Sequence, residues 1–440
     1  MTTCEVRLWG RAIGAASWRA DAQLADFAYA EDFVGSGIEL SPLRMPLGRA
    51  VLRFPELART SFHGLPGLLA DSLPDRFGNR LLDEWLTARG REPASLDPIE
   101  RLCYTGTRGM GALEFHPATE REAPAGQALE LASLVELAGE VLGDRAAFRA
   151  RLANDPDQRA IASLLAIGTS AGGARAKAVV AWNPTTGELR SGQVDHPGEF
   201  EPWMIKFDGV DGNGDRELGD PDGYGLVEHA YHLLALRAGI DMAPCHVLSE
   251  GGRHHFMTRR FDRFVGQHPR TGEARYERLH MASLGGLVHV DYNQAGAFSY
   301  EGALDVASRL GLGVAQREEL VRRAIFNVLA RNQDDHVKNI AFLMDKTGTW
   351  RLSPAFDLTF AFNPDGAWTA THQMSLNAKR DGFEASDIEA LAGHAGLQRG
   401  RWRVLLDEVG GALEAWPELA EAARVPEAWA AEIGRLHRRL

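Results

Sequence analysis

The densest chemistry in the chain lies in eight residues, Asn332 to Asn339, reading NQDDHVKN. They follow the apolar-faced helical run REELVRRAIFNVLARN and precede the apolar strand IAFLMD. Asp334, Asp335, His336 and Asn339 can each ligate a cation or bridge to a substrate. A turn, KTG, leads into a second strand, TWRLSPAFD, which Asp357 ends. A hairpin returns its second strand to the edge where the first began. Asp334 and Asp357 are therefore expected to be close in space. Two carboxylates and an amide facing one cleft can hold Mg²⁺, which prefers oxygen ligands and phosphate partners. Alternatively one carboxylate faces a hydroxyl and acts as a base. A di-metal hydrolase could use the adjacent Asp-Asp-His, but no second His/Asp cluster at ligand spacing accompanies it.

Two upstream signals fit the same chemistry. GTSAGGARAK (168–177) is a loop of small residues in which Ser170, Gly172 and Gly173 let backbone N–H groups approach phosphate oxygens, with Lys177 at its end. It lacks the Gly-Lys-Ser/Thr of the P-loop NTPases. Lys206 sits in WMIKF, flanked on a strand by Trp203, Met204, Ile205 and Phe207, and Glu228 on the following helix is an available ion-pair partner. Gly-rich loop, strand lysine, helix glutamate, hairpin, helix, Asp…Asn loop, hairpin and a further Asp is the order of parts in a protein-kinase-like phosphotransferase.

The elements that must position these groups follow from pattern. EVRLWGRAIGAASW alternates as strands broken at Gly10 and Gly14, and ELSPLRMPL, with Pro42 and Pro46, reads as an edge strand or irregular segment. Leu68, Leu69, Leu73, Phe77, Leu81, Leu82 and Trp85 recur at helical spacing, with Pro74 breaking the run. GMGALEFHP closes this part as a strand, and 117–128 is the linker by composition. Beyond it, LELASLVELAGEVLG is a helix, AKAVVAW and WMIKF are strands, DGYGLVEHAYHLLALRAGI is a helix ended by Gly239, and CHVLSEGGRHHFMTRRFDRF is a hairpin around Gly251 and Gly252.

Lys and Arg number 48 against 60 Asp and Glu, a net charge of −12, which argues against a stand-alone nucleic-acid binder. The three cysteines, Cys4, Cys103 and Cys245, form neither a disulfide framework nor a zinc knuckle and suit a reducing compartment. With no signal-peptide-like start and no apolar stretch of about 18 residues, a cytoplasmic protein is expected.

The sequence resembles the HipA family of serine/threonine kinases, the toxin half of HipBA-type toxin–antitoxin pairs. SPLRMPL, FHGLPGLLADSLPDRFGNRLL and RGMGALEFHP look like the family's N-terminal domain, and TSAGGARAK like its Ser-containing phosphate loop. WMIKF carries the ATP-lysine position, MTRRFDRF resembles the segment joining the lobes, NQDDHVKNIAF resembles the NTD-x-H-x-KN catalytic loop, and SPAFDL the metal-binding Asp. Gln333 stands where the family has Thr, and Arg175-Ala176 where Gln-Glu or Gln-Asp precedes the loop lysine, here Lys177.

The resemblance implies an α+β fold: a small, mostly-β N-terminal domain (1–116), then a two-lobed protein-kinase-like domain with an N-lobe at 129–265 and a helical C-lobe at 266–440. It implies an Mg-ATP-dependent serine/threonine protein kinase with Asp334 as base and His336 beside it. Asn339 and Asp357 would hold Mg²⁺. Lys206 would contact the ATP phosphates with Lys177, Gly172 and Gly173 of the loop, and Arg259 and Phe261 would lie at the adenine hinge. Ser170 would be the autophosphorylation site. A protein substrate and a small helix-turn-helix antitoxin of HipB type are the implied partners, with DNA reached only through the antitoxin and no membrane contact. A small-molecule kinase of similar fold and a non-catalytic antitoxin-binding module are the alternatives.

Overall fold

The computed structural model describes residues 2–118, 128–143, 148, 175–191, 197–210, 223–268 and 270–440. The chain opens with three antiparallel strands, β1 (Thr3–Leu8), β2 (Arg11–Arg19) and β3 (Leu24–Tyr29), and β4 (Leu113–His116) returns to the far side of β1, giving the order β3-β2-β1-β4. The β1–β2 turn uses Trp9 and Gly10, both at positive φ. Gly14 does not break the strand as expected. It pairs with Tyr29 inside the ladder, and a Cβ there would come within 2.4 Å of the Ala28 carbonyl, so glycine is what lets the strands approach. ELSPLRMPL takes the irregular alternative, burying Leu40 and Met45 without forming a strand.

Pro74 splits the predicted helical run into Gly67–Ala70 and Arg76–Ala88. Asp75 caps the second helix, its carboxylate accepting from the Gly78 N–H at 2.6 Å. Helix Pro98–Thr105 starts with a capping box between Asp97 and Glu100 and with Pro98 in its first turn, where the missing N–H costs nothing.

A five-stranded antiparallel sheet follows, order β6-β5-β7-β9-β8, from β5 (Lys177–Trp182), β6 (Leu189–Ser191), β7 (Glu201–Lys206), β8 (Cys245–Glu250) and β9 (Arg253–Arg259). Helix Tyr224–Arg237 packs on β9. The chain then forms a ribbon, β10 (Arg263–Gln267) and β11 (Ala274–Arg278), and a three-stranded sheet of β12 (His280–Ser283), β13 (Ala341–Met344) and β14 (Trp350–Leu352). Helices Tyr300–Arg309, Val314–Leu329, Ala385–His394, Arg401–Glu414, Trp416–Ala422 and Glu427–Leu436 make up most of the rest. Among the described residues no helix is long and apolar enough to cross a membrane.

Two apolar cores result, and they do not divide where the linker composition falls. The larger joins the first sheet to the C-terminal helices. The smaller unites Phe77, Leu81, Leu82 and Trp85 of helix Arg76–Ala88 with helix Leu131–Gly143 and with Ala178, Val180, Trp203 and Ile205 of β5 and β7. The apolar stripe of a helix upstream of the linker thus covers a sheet downstream of it, because burying that stripe is what stabilises both.

A buried ionic cluster fixes the same junction. Asp262, fully excluded from solvent in the β9–β10 connection, accepts from Arg260 at 2.7 and 2.9 Å, from Arg263 at 2.6 Å and from the Gly111 N–H at 2.7 Å. The arginines in turn donate to the Gly109 and Gly111 carbonyls. Burial alone would push the Asp262 carboxyl up, but the two guanidinium groups hold it well below the usual carboxylate range. Asp262→Asn keeps the shape and removes the buried carboxylate that both guanidinium groups share. It is expected to cost about 3–5 kcal/mol of stability in equilibrium denaturation.

Candidate functional site

The site begins with a register. β5 and β7 pair so that Lys177 lies directly opposite Lys206, and both are buried. Like charges facing across a ladder destabilise it, so anions must come from elsewhere. Lys206 Nζ lies 2.7 Å from Glu228 Oε1 on helix Tyr224–Arg237 and 2.7 Å from Asp357 Oδ1. Burial would lower the Lys206 pKa, but the two carboxylates outweigh it and hold the ammonium above its ordinary value. Arg175 adds a second cation to Glu228 at 3.2 Å and stacks over the Tyr224 ring. Lys177 has no ion pair among the described residues. Its burial depresses its pKa against the pull of Asp357 and Asp75.

Asp357 is not at the end of a strand. β14 stops at Leu352, the Ala355 N–H turns away to the Asp241 carbonyl, and Asp357 sits at φ 53°, in the left-handed region. That conformation is costly for a non-glycine residue and marks a position over-determined by its surroundings, here by the ion pair to Lys206. Desolvation would raise its carboxyl, but Lys206 and Lys177 hold it far below the usual range.

The NQDDHVKN loop leaves helix Val314–Leu329 through Arg331 at φ 58° and is pinned by an Asn332–Ala361 bridge. Asn339 folds back on the loop, its side-chain amide N–H donating to the Asp334 carbonyl at 2.8 Å. The Asp334 carboxylate accepts from the Trp368 indole N–H at 2.7 Å and has His336 Nε2 at 3.8 Å. Crowded surroundings and the Asp357 charge push the Asp334 carboxyl up, while His336 and the indole pull it down. The Asp357 charge thus reaches Asp334.

Asp335 has a different role from its neighbour. Both its oxygens are occupied, by the Tyr300 hydroxyl at 2.7 Å, His372 Nδ1 at 2.8 Å and the Gln373 N–H at 2.7 Å. That is a strut: both oxygens are already engaged by groups that hold the fold. Arg259 reaches Glu201 at 3.4 Å, and Phe261 packs on Phe356, the residue before Asp357, with ring centroids 5.6 Å apart. Ser170, Gly172 and Gly173 lie outside the described residues.

Sequence pattern missed three participants. Trp368 lies far from Asp334 along the chain, with no spacing that links them. Arg260, Asp262 and Arg263 stand beside the residues picked out in MTRRFDRF, but only the fold shows what they hold. Asp75 comes from the N-terminal part. One of its oxygens caps a helix, and the other is buried with no hydrogen-bond partner among the described residues, in the field of Lys177 and Lys338.

Burial raises the Asp75 pKa from 3.8 to about 7, against those two lysines. The native state therefore holds a proton that the unfolded chain has already lost, and folding stability falls as pH rises from about 4 to 7. Asp75→Asn keeps a capping oxygen and removes the titration. It is expected to be more stable than the parent at pH 8, by at most about 4 kcal/mol, with the difference vanishing near pH 4 in denaturant melts.

An antiparallel sheet whose lysine meets a helix glutamate, with a carboxylate-bearing loop and a further Asp from the helical part, is the layout of a kinase-like fold. Residues 4–116 match the HipA N-terminal domain and residues 169–416 the HipA-like C-terminal domain. The chain belongs to the HipA family. The HipA toxin of Shewanella oneidensis MR-1, solved with HipB and operator DNA, superposes with a TM-score of 0.69 at 18% identity over 98% of this chain and 95% of that one. A Sinorhizobium fredii protein named "Putative kinase" is 28% identical over 141 residues, which are 30% of this chain and 32% of its own length. A Haemophilus influenzae protein of like name is 28% identical over 168 residues, which are 34% of this chain and 46% of its own length. The matched stretches thus span less than half of those two relatives.

Proposed function

We propose that the protein is an Mg-ATP-dependent serine/threonine protein kinase. The observation that carries this reading is Lys206 held at 2.7 Å from both Glu228 and Asp357. Phosphoryl transfer asks a protein mainly for positioning and charge neutralisation. Lys206, fixed on both sides, is a pre-oriented cation for phosphate oxygens. Lys177, opposite it and without an ion pair among the described residues, is a second.

The donors present suit Mg²⁺. Asn339 uses its amide nitrogen on the Asp334 carbonyl, which leaves its side-chain oxygen available, and Asp357 keeps a second carboxylate oxygen beyond the one on Lys206. All-oxygen donors completed by phosphate and water are what this ion prefers. Bound there, it would neutralise charge on the phosphates. Asp334, whose backbone carbonyl holds the Asn339 amide, would accept the proton of an acceptor hydroxyl, with His336 beside it.

The substrate is read as a protein serine or threonine, and the partner as a small helix-turn-helix antitoxin of HipB type. The Shewanella relative was solved with HipB and DNA, and a net charge of −12 disfavours direct DNA contact.

Asp334→Asn and Asp357→Asn are each expected to lower transfer of labelled phosphate from Mg-ATP by about 10²-fold or more. Asp334→Asn should leave the circular dichroism and melting of the parent, whereas Asp357→Asn also strips Lys206 of a partner and should melt earlier. Parent-like transfer in Asp357→Asn would sink the assignment. Transfer to metabolites and not to proteins would move the reading to a small-molecule kinase.

Ser170 is proposed as the autophosphorylation site. A phosphate there adds roughly −1.5 to −2 charge in a loop read as wrapping the ATP phosphates, so it should repel the nucleotide. Mass spectrometry after incubation with Mg-ATP is expected to find phosphate on Ser170, together with weakened ATP binding. Phosphate only elsewhere, or undiminished affinity in stoichiometrically modified protein, would show the loop to be structural.

A further inference from the structure

The reading above uses Asp334 as a base but leaves one of its contacts unexplained. Its Oδ1 accepts from the Trp368 indole at 2.7 Å. An indole N–H is a donor only, and a donor aimed at a carboxylate makes a charge-assisted hydrogen bond. The contact therefore ties up one oxygen of Asp334 and leaves the other for an acceptor hydroxyl.

Trp368 is itself held by the neighbouring residue of the same loop. Asp335 accepts from the Gln373 N–H and from His372 Nδ1, and the Gln373 side-chain amide donates to the Trp368 carbonyl. Asp335 is braced from behind by the Tyr300 hydroxyl, which also accepts from Asn327 Nδ2 of helix Val314–Leu329 at 2.9 Å. Two consecutive aspartates thus take part in one closed circuit. Asp335 grips the backbone at 372–373, that segment sets Trp368, and the Trp368 indole grips Asp334. The His336 ring lies between Tyr292 and Trp368, with ring centroids 5.6 and 6.4 Å away, so the same indole also walls the space beside the base. Lys206 and Glu228 take no part in this circuit.

We infer that Trp368 is a positioning residue for the acceptor side of the site: its indole N–H fixes the Asp334 carboxylate by one oxygen and turns the other toward the incoming hydroxyl. The inference rests on the kinase reading for its effect on rate, but the contact itself can be tested without activity.

Trp368→Phe keeps a ring and removes the N–H. It is expected to lower kcat by about 10- to 100-fold, the cost of a loosely aimed catalytic group, while KM for ATP stays within about twofold. Trp368→Ala should behave like Trp368→Phe or worse. In ¹⁵N-labelled full-length protein, the indole signal missing from Trp368→Phe should move in Asp334→Asn. Parent kcat in Trp368→Phe, or equal effects on kcat and KM, would overturn the positioning role. So would an indole signal that ignores Asp334→Asn. If the parent protein transfers no phosphate while that signal does respond, the kinase reading fails and the indole–carboxylate contact stands.

Discussion

The structure turns on a buried ammonium group shared by two carboxylates. Lys206 comes from the central sheet, Glu228 from the helix that packs on β9, and Asp357 from the segment after the last hairpin. Burying an ammonium group is costly unless its charge is answered, and for Lys206 two carboxylates answer it. The sheet, the helix and the C-terminal part must therefore all be in register before any one of them is at ease. The strained backbone of Asp357 fits this view: leaving its left-handed conformation would take from Lys206 one of its two carboxylates.

Much of this could be read from residue types and order. Lys206 flanked by apolar residues, Glu228 on the next helix, and a polar loop between an apolar helix and an apolar strand are local patterns, and local patterns obey local rules. Asp357 proved to lie beyond its strand, and the hairpin argument needed only the direction of return, which leaves its charge within reach of Asp334. The break at Pro74 was equally local.

What could not be read depends on contacts distant in sequence. A helix stripe says that something will cover it, not what, so nothing in LLDEW announces that Leu81, Leu82 and Trp85 will close the core beneath β5 and β7. Gly14 looked like a break because glycine usually is one, while the crowding that demands it comes from Phe27 and Ala28 on the next strand. The two adjacent aspartates show the same limit. Asp334 and Asp335 are alike in the sequence, and only the partners arriving from Trp368, Tyr300, His372 and Gln373 set them apart, engaging one oxygen of the first and both of the second.

The shared core under helix Arg76–Ala88 has a thermodynamic consequence. The helix belongs in sequence to the region matching the HipA N-terminal domain, yet it packs beneath the strand that carries Lys206 and places Asp75 in the field of Lys177. Any molecule that grips the N-terminal region more tightly in one packing of that helix than in another also biases the lysine pair. Linkage is reciprocal, so a ligand on those lysines must change the grip of that molecule by the same factor. The grip of such a molecule and the affinity of the lysine pair for its own ligand would then be two readings of a single coupling energy, transmitted through one apolar seam.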